Sequence, residues 1–169
     1  MKKIFFFGIF ACAALLVSCS MQFKMSGTSI DYSVVKTISV VDFPNMAPMV
    51  YPPLAPAFND ALRDIYARQT RLRLVPQGGD LNIEGEITRY DLEPLSIQTD
   101  AFASETRMTI AVRVRFTNNT NHKEDFEETF SANDKFSSNK LLSDVQDELI
   151  RSIVAEITEN IFNRTVANW

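Results

Sequence analysis

Few of the residue types that carry chemistry are present. The 169 residues include one histidine, one tryptophan and two cysteines, and both cysteines, Cys12 and Cys19, stand in the first nineteen positions. Cys12 falls inside the leader described below and Cys19 at its end, so the rest of the chain has no free thiol. That excludes a disulfide, a thiolate metal site and a cysteine nucleophile from the folded domain. His122 lies in Asn118-Asn119-Thr120-Asn121-His122-Lys123, a polar turn in which a solvated imidazole is expected rather than a ligand or base. GxSxG, HExxH and Walker-type loops are absent. Glu84/Glu86 and Glu127/Glu128 imitate a glycosidase dyad, but strand alternation puts most such carboxylates on a solvated face. The chain is therefore expected not to be an enzyme and to hold no metal or cofactor.

Positive charge is also short. Seventeen basic residues face 21 acidic ones, for a net charge of −4, and Lys2 and Lys3 belong to the leader, which makes the remainder still more acidic. Bulk charge gives no support for nucleic acid as a partner.

Long hydrophobic runs are limited to one. Behind Lys2 and Lys3, residues Ile4 to Val17 are apolar, too short for the roughly 20 residues a membrane-spanning helix needs. The run reads as a signal-peptide core. It ends in Leu16-Val17-Ser18-Cys19, which resembles the lipobox of bacterial lipoproteins. That resemblance implies a diacylglycerol on the Cys19 thiol, cleavage before Cys19, and acylation of the new amine with a fatty acid such as palmitate. Each buried CH₂ contributes about 0.8 kcal/mol, so several chains hold a protein on a membrane almost permanently. The organisation read from this is a signal peptide over 1–18, a lipidated cysteine and tether over 19–29, and one domain over 30–169. About 150 residues remain after cleavage, enough for a single core.

Within that domain, Val34 to Phe43 is β-branched and partly alternating and stops at Pro44, which predicts a first strand. A loop with Pro44, Pro48, Pro52 and Pro53 leads to Leu54, Phe58, Ala61, Leu62, Ile65 and Tyr66 at helical spacing, predicting a helix over 53–69 with its prolines in the first turn. Arg71 to Val75 is at most a short extended piece. After the turn Gln77-Gly78-Gly79-Asp80, the residues Leu81, Ile83, Gly85 and Ile87 share one face of a second strand. A linker from Glu93 to Asp100 follows. The third strand points Met108, Ile110, Val112, Val114 and Phe116 inward and Arg107, Arg113 and Arg115 outward; a fourth carries Phe126 and Phe130. Pairing Glu86 with Arg113, Glu84 with Arg115, Arg115 with Glu127 and Phe116 with Phe126 matches charges outside and apolar residues inside in one register. Glu128 then falls on the inner face opposite Val114 and marks a bulge or the edge of the sheet. Ser137-Ser138-Asn139 are candidate caps for a helix over 140–163 built on Leu142, Val145, Leu149, Ile153, Ile157 and Ile161.

The order is β-α-β-β-β-α: an α+β, two-layer sandwich with two helices on one face of a four-stranded mixed sheet. The first crossover makes one strand pair parallel in an otherwise antiparallel sheet. On the outer face, Arg107, Arg113 and Arg115 are candidates for contact with an anionic ligand such as phosphorylated lipid A or with a partner, against the plainer reading of a wet, charge-paired surface. Trp169, Phe23 and the loop around Val50-Tyr51 are candidate partner anchors or packing residues.

The runs Gly27-Thr28-Ser29-Ile30-Asp31-Tyr32, Val35-Lys36-Thr37-Ile38-Ser39-Val40, Phe43-Pro44-Asn45, Tyr51-Pro52-Pro53-Leu54, Asp80-Leu81-Asn82-Ile83-Glu84-Gly85 and Val166-Ala167-Asn168-Trp169 together resemble the LptE-like lipoproteins of Bacteroides-type bacteria, over nearly the whole mature chain. The resemblance implies a lipid-anchored protein on the periplasmic side of the cell outer membrane. It would lodge in the lumen of the β-barrel LptD and assist lipopolysaccharide insertion into the outer leaflet. Ser20 is not the aspartate that retains lipoproteins in the inner membrane of enteric bacteria, consistent with that location. An alternative arises from Lys36 to Asn45, which also looks like the first strand of periplasmic αβ domains that scaffold or activate cell-wall synthases or secretion channels.

Overall fold

The computed structural model describes residues 30–95 and 105–166. Strand β1 (Thr37–Val40) buries Ile38 and Val40 on its inner face. It is shorter than the strand expected from Val34 to Phe43: the Val41 N–H still donates to the Ile83 carbonyl, but Phe43 finds another partner. The Phe43 N–H donates to Asn59 Oδ1 (2.9 Å), and Asn59 Nδ2 donates back to the Phe43 carbonyl (3.3 Å), so one buried side chain does for Phe43 what a neighbouring strand would otherwise do. Asn45 then makes a lone parallel bridge with Ile87.

Helix α1 (Leu54–Gln69) forms where the apolar residues repeat at three and four: Leu54, Phe58, Leu62 and Tyr66 are buried. Pro53 stands at the N-cap and Pro56 in the first turn, where a missing N–H breaks no helical bond. Helix α2 (Leu142–Val166) buries Leu149, Ile150, Ile153, Val154, Ile157, Ile161, Phe162 and Val166. The expected caps do not serve it: Ser137 closes β5, and Ser138 Oγ lies 3.1 Å from Thr106 Oγ1 across the sheet. The helices meet through Tyr66 and Phe162, rings 5.4 Å apart, and through the Tyr66 hydroxyl, 2.5 Å from Thr165 Oγ1.

The sheet has five strands in the order β2-β1-β3-β4-β5, one more than expected. The addition is β2 (Arg73–Val75), parallel to β1 in the register Thr37↔Arg73 to Ser39↔Val75. Three residues at an exposed edge are too few to show alternation. β1 is also parallel to β3 (Leu81–Leu95), as anticipated, while β3 with β4 (Glu105–Asn118) and β4 with β5 (Phe126–Ser137) are antiparallel. The charge-matching registers hold at every position proposed: Glu84↔Arg115, Glu86↔Arg113, Arg115↔Glu127 and Phe116↔Phe126. Glu128 does face Val114, and β5 is the edge strand; there Arg164 of α2 reaches it at 3.2 Å.

β3 runs through Glu93 and Pro94, which the sequence reading assigned to a linker. The pairing shifts by one residue between Ile87 and Arg89, and this bulge reverses the phase of the strand. Tyr90 thereby takes the buried side while Arg89 and Glu93 are exposed. The signal was in the sequence: apolar positions are odd up to Ile87 and even at Tyr90 and Leu92.

β2 and β3 flank β1 on opposite sides, so the chain between them must step across β1. Gly78 turns with φ of 68°, a conformation that glycine adopts freely. Gly79 then lies against the β1 backbone, where an added Cβ would come within 2.6 Å of the Ser39 nitrogen. Asp80 completes the crossing: its Oδ2 accepts from the Lys36 N–H (2.8 Å), the Thr37 N–H (2.9 Å) and Thr37 Oγ1 (2.9 Å). These bonds, led by that from Lys36, hold the Asp80 carboxyl below its ordinary value. Because the folded value is depressed, the stability it confers is fully present above about pH 4, the unfolded carboxylate value, and is lost as pH falls through the lower folded value. Asp80→Ala is expected to cost about 2 kcal/mol near neutral pH. Urea unfolding checks this, and the difference from wild type should narrow in acid.

Candidate functional site

The outer face of the sheet, away from the helices, is where strand alternation collects charge. Arg115 lies between two carboxylates, Glu84 at 3.6 Å and Glu127 at 3.1 Å, and Arg113 meets Glu86 at 3.2 Å. A shallow depression of about 330 Å³ sits among these side chains and Val41, floored by Gly85. On the inner side, Gly85 leaves space for Phe43, whose ring would lie 2.5 Å from an added Cβ.

Farther along the strands the pattern changes. Register puts Arg107 between Glu93 and Lys135, but Glu93 is taken by Arg89 at 3.0 Å, and Arg89 also holds Asp91 at 2.7 Å. The bond to Arg89 is the main cause that lowers the Asp91 carboxyl below its ordinary value. Lys135 pairs with Glu105 at 3.6 Å. Among the described residues Arg107 has no ion pair, and its Nε is buried without a hydrogen-bond partner. The three sequence-predicted arginines thus share one face but not one condition: Arg113 and Arg115 are neutralised by neighbours, Arg107 is not. Sequence reasoning missed Arg89, which reaches this face only through the bulge and occupies the carboxylate Arg107 would otherwise take.

Other candidates fall elsewhere. Cys19, Phe23 and Trp169 lie outside the described residues. Tyr51 is a packing residue, donating to Asp147 at 2.7 Å and tilted against Tyr90, while Val50 is 67% exposed. His122 is in the turn, 3.0 Å from Asp125 and largely exposed. Among the described residues there is no group of side chains that would hold a metal, and no helix long and apolar enough to cross a membrane.

A family model described as LptE, lipopolysaccharide-assembly, matches residues 35–165, the whole of the sandwich from the start of β1 to the end of α2. The chain belongs to the LptE family. Comparison with curated proteins gives no match. Among solved structures this LptE-family chain is similar to a minor lipoprotein from Acinetobacter baumannii, with a TM-score of 0.53 and 11% identity over 78% of this chain and 92% of that one. It is similar also to a protein from Xanthomonas campestris, with a TM-score of 0.54 and 10% identity over 76% and 82% of the two chains. At such identities the likeness is one of fold.

The exposed ion pairs of Arg113 and Arg115 contribute little to stability. Arg113→Ala and Arg115→Ala are each expected to cost less than about 1 kcal/mol by urea unfolding. Arg107→Met keeps the apolar stem and removes an unpaired buried polar atom, so stability should stay level or rise by up to about 1 kcal/mol.

Proposed function

We propose that this LptE-family chain is a non-enzymatic, lipid-anchored protein of the cell outer membrane, held on the periplasmic side through Cys19. In this reading it lodges in the lumen of the LptD β-barrel and assists lipopolysaccharide insertion into the outer leaflet. The observation that carries the reading is the family match across the whole sandwich. Its physical sense is that a polar, charge-paired sheet face suits the polar interior of a large barrel, with the apolar residues turned to the helices. The outer face meets the phosphates of lipid A, and Arg107, without an ion pair among the described residues, carries the largest share of that contact.

Tagged protein extracted from membranes is expected to bring down a large β-barrel protein. Recovery of a cell-wall synthase, or of a ring of the chain itself, with no barrel protein would overturn the assignment. Cys19→Ser should abolish acylation, read as the loss of acyl mass from the mature protein and of its retention in the membrane pellet.

The lipopolysaccharide contact is tested by affinity at rising salt. Binding should weaken as salt is added, and Arg107→Ala should weaken it by about tenfold, a loss of about 1.4 kcal/mol. Affinity unchanged after replacing Arg107, Arg113 and Arg115 together would remove this face from the mechanism.

A further inference from the structure

The sheet ends in two edge strands of unequal length. β2 has three residues, while β5 runs for twelve, with β4 on one side and no strand on the other among the described residues. β5 keeps an unbroken register with β4 from Phe126 to Ser137, and its sequence has neither proline nor glycine. A bulge, a proline or a very short strand, the usual ways of blunting a sheet edge, are thus missing from it. Thr129, Ser131 and Asn133 are exposed, and alternate residues of an edge strand turn their N–H and C=O outward.

What fits this edge follows from the same matching that fixes the hairpins. Two copies of β5 laid antiparallel around a two-fold axis bring like faces together only when the axis passes through a residue, and outward groups then meet outward groups. Registers centred on Ser131 or on Ala132 keep all but one end residue of β5 paired. Centred on Ala132, Glu128 falls opposite Phe136 and Phe130 opposite Asp134. Centred on Ser131, Glu127 falls opposite Lys135 and Phe126 opposite Phe136, each twice by symmetry, which is the match that cross-strand pairing favours.

That register continues what the sheet already does. Glu84, Arg115 and Glu127 alternate in sign across three strands, at 3.6 and 3.1 Å, and Lys135 of a second copy is the next cation in the row. Phe116 and Phe126 stack on the inner side with ring centres 5.3 Å apart, and Phe136 of a second copy is the next ring. The like-charged match, Glu128 with Asp134, falls where Arg164 already holds Glu128 at 3.2 Å.

We propose that two copies of this chain pair through β5, antiparallel and centred on Ser131, into one continuous sheet. Pairing uses up the long edge of each copy, so assembly stops at two. The dimer goes beyond the barrel reading and is tested without it.

Ser131→Cys is a small change at an exposed position, and cross-strand Cβ atoms about 5 Å apart are near disulfide range. Membranes carrying the full chain with Ser131→Cys, oxidised with copper phenanthroline, are expected to give a disulfide-linked dimer on a non-reducing gel, and wild type none. Thr129→Cys or Asn133→Cys alone leaves like thiols four residues apart, about 13 Å, and should crosslink at least several-fold less; the two variants co-expressed should join. In detergent, sedimentation should give wild type the mass of two chains, and Lys135→Glu should weaken the dimer at least several-fold. No dimer from Ser131→Cys would overturn the proposal, as would equal crosslinking at positions 129, 131 and 133, which marks random collision. Ser131→Cys joining only to Asn133→Cys would overturn the register, and a single-chain mass for wild type at every concentration would overturn the dimer.

Discussion

One carboxylate joins the two halves of this sheet. Asp80 accepts from two consecutive backbone N–H groups of the chain entering β1, and by doing so fixes where β3 starts relative to β1. Everything downstream inherits that register. β3 aligns β4, β4 aligns β5, and the inner faces of all three set the bed on which the helices lie. The crossing that delivers Asp80 is only possible because Gly79 has no side chain where it passes the β1 backbone. A parallel pair usually needs a long connection, and α1 supplies it between β1 and β2. The step from β2 to β3 is instead a five-residue bridge over an intervening strand, and its short length is why the turn residues are so restricted.

Much of the fold was legible from alternation and charge. The hairpin registers followed from asking which alignment put glutamates against arginines and phenylalanine against phenylalanine, because cross-strand neighbours on one face interact whatever the rest of the fold does. Helices α1 and α2 followed from apolar spacing, within a few residues at their ends. What escaped were features set by tertiary partners. β2 is three residues defined by its pairing with β1 and by nothing in its own pattern. The early end of β1 depends on Asn59, sixteen residues away, replacing a strand. The bulge at Thr88 leaves a change of phase in the apolar pattern, but with a linker placed from Glu93 the positions of Arg89 and Glu93 on the sheet stayed concealed.

The same concealment affected the candidate site. Three arginines on alternate positions of one strand look equivalent, and their types and spacing were sufficient to place them on one face. Their electrostatic state was not legible, since it depends on which carboxylate each finds after β3 has shifted by one. Arg115 has two carboxylate neighbours, Arg113 one and Arg107 none among the described residues. A row of like charges thus becomes a graded surface, each arginine matched by glutamate where β1 lies alongside and Arg107 without an ion pair farther out among the described residues.

β3 spans fifteen residues, about 50 Å of extended chain, and only its first few residues are flanked by β1. Ile30 and Val166 both lie by the end where β3 begins. The support that β1 gives is therefore confined to one end of β3, and the far half of the β3-β4 hairpin depends on other partners. That far half, which carries Arg107, is held from its other sides: Tyr90 and Met108 are buried beneath the helices, Gln146 Nε2 donates to the Tyr90 hydroxyl, and β5 follows β4 out to Glu105↔Ser137.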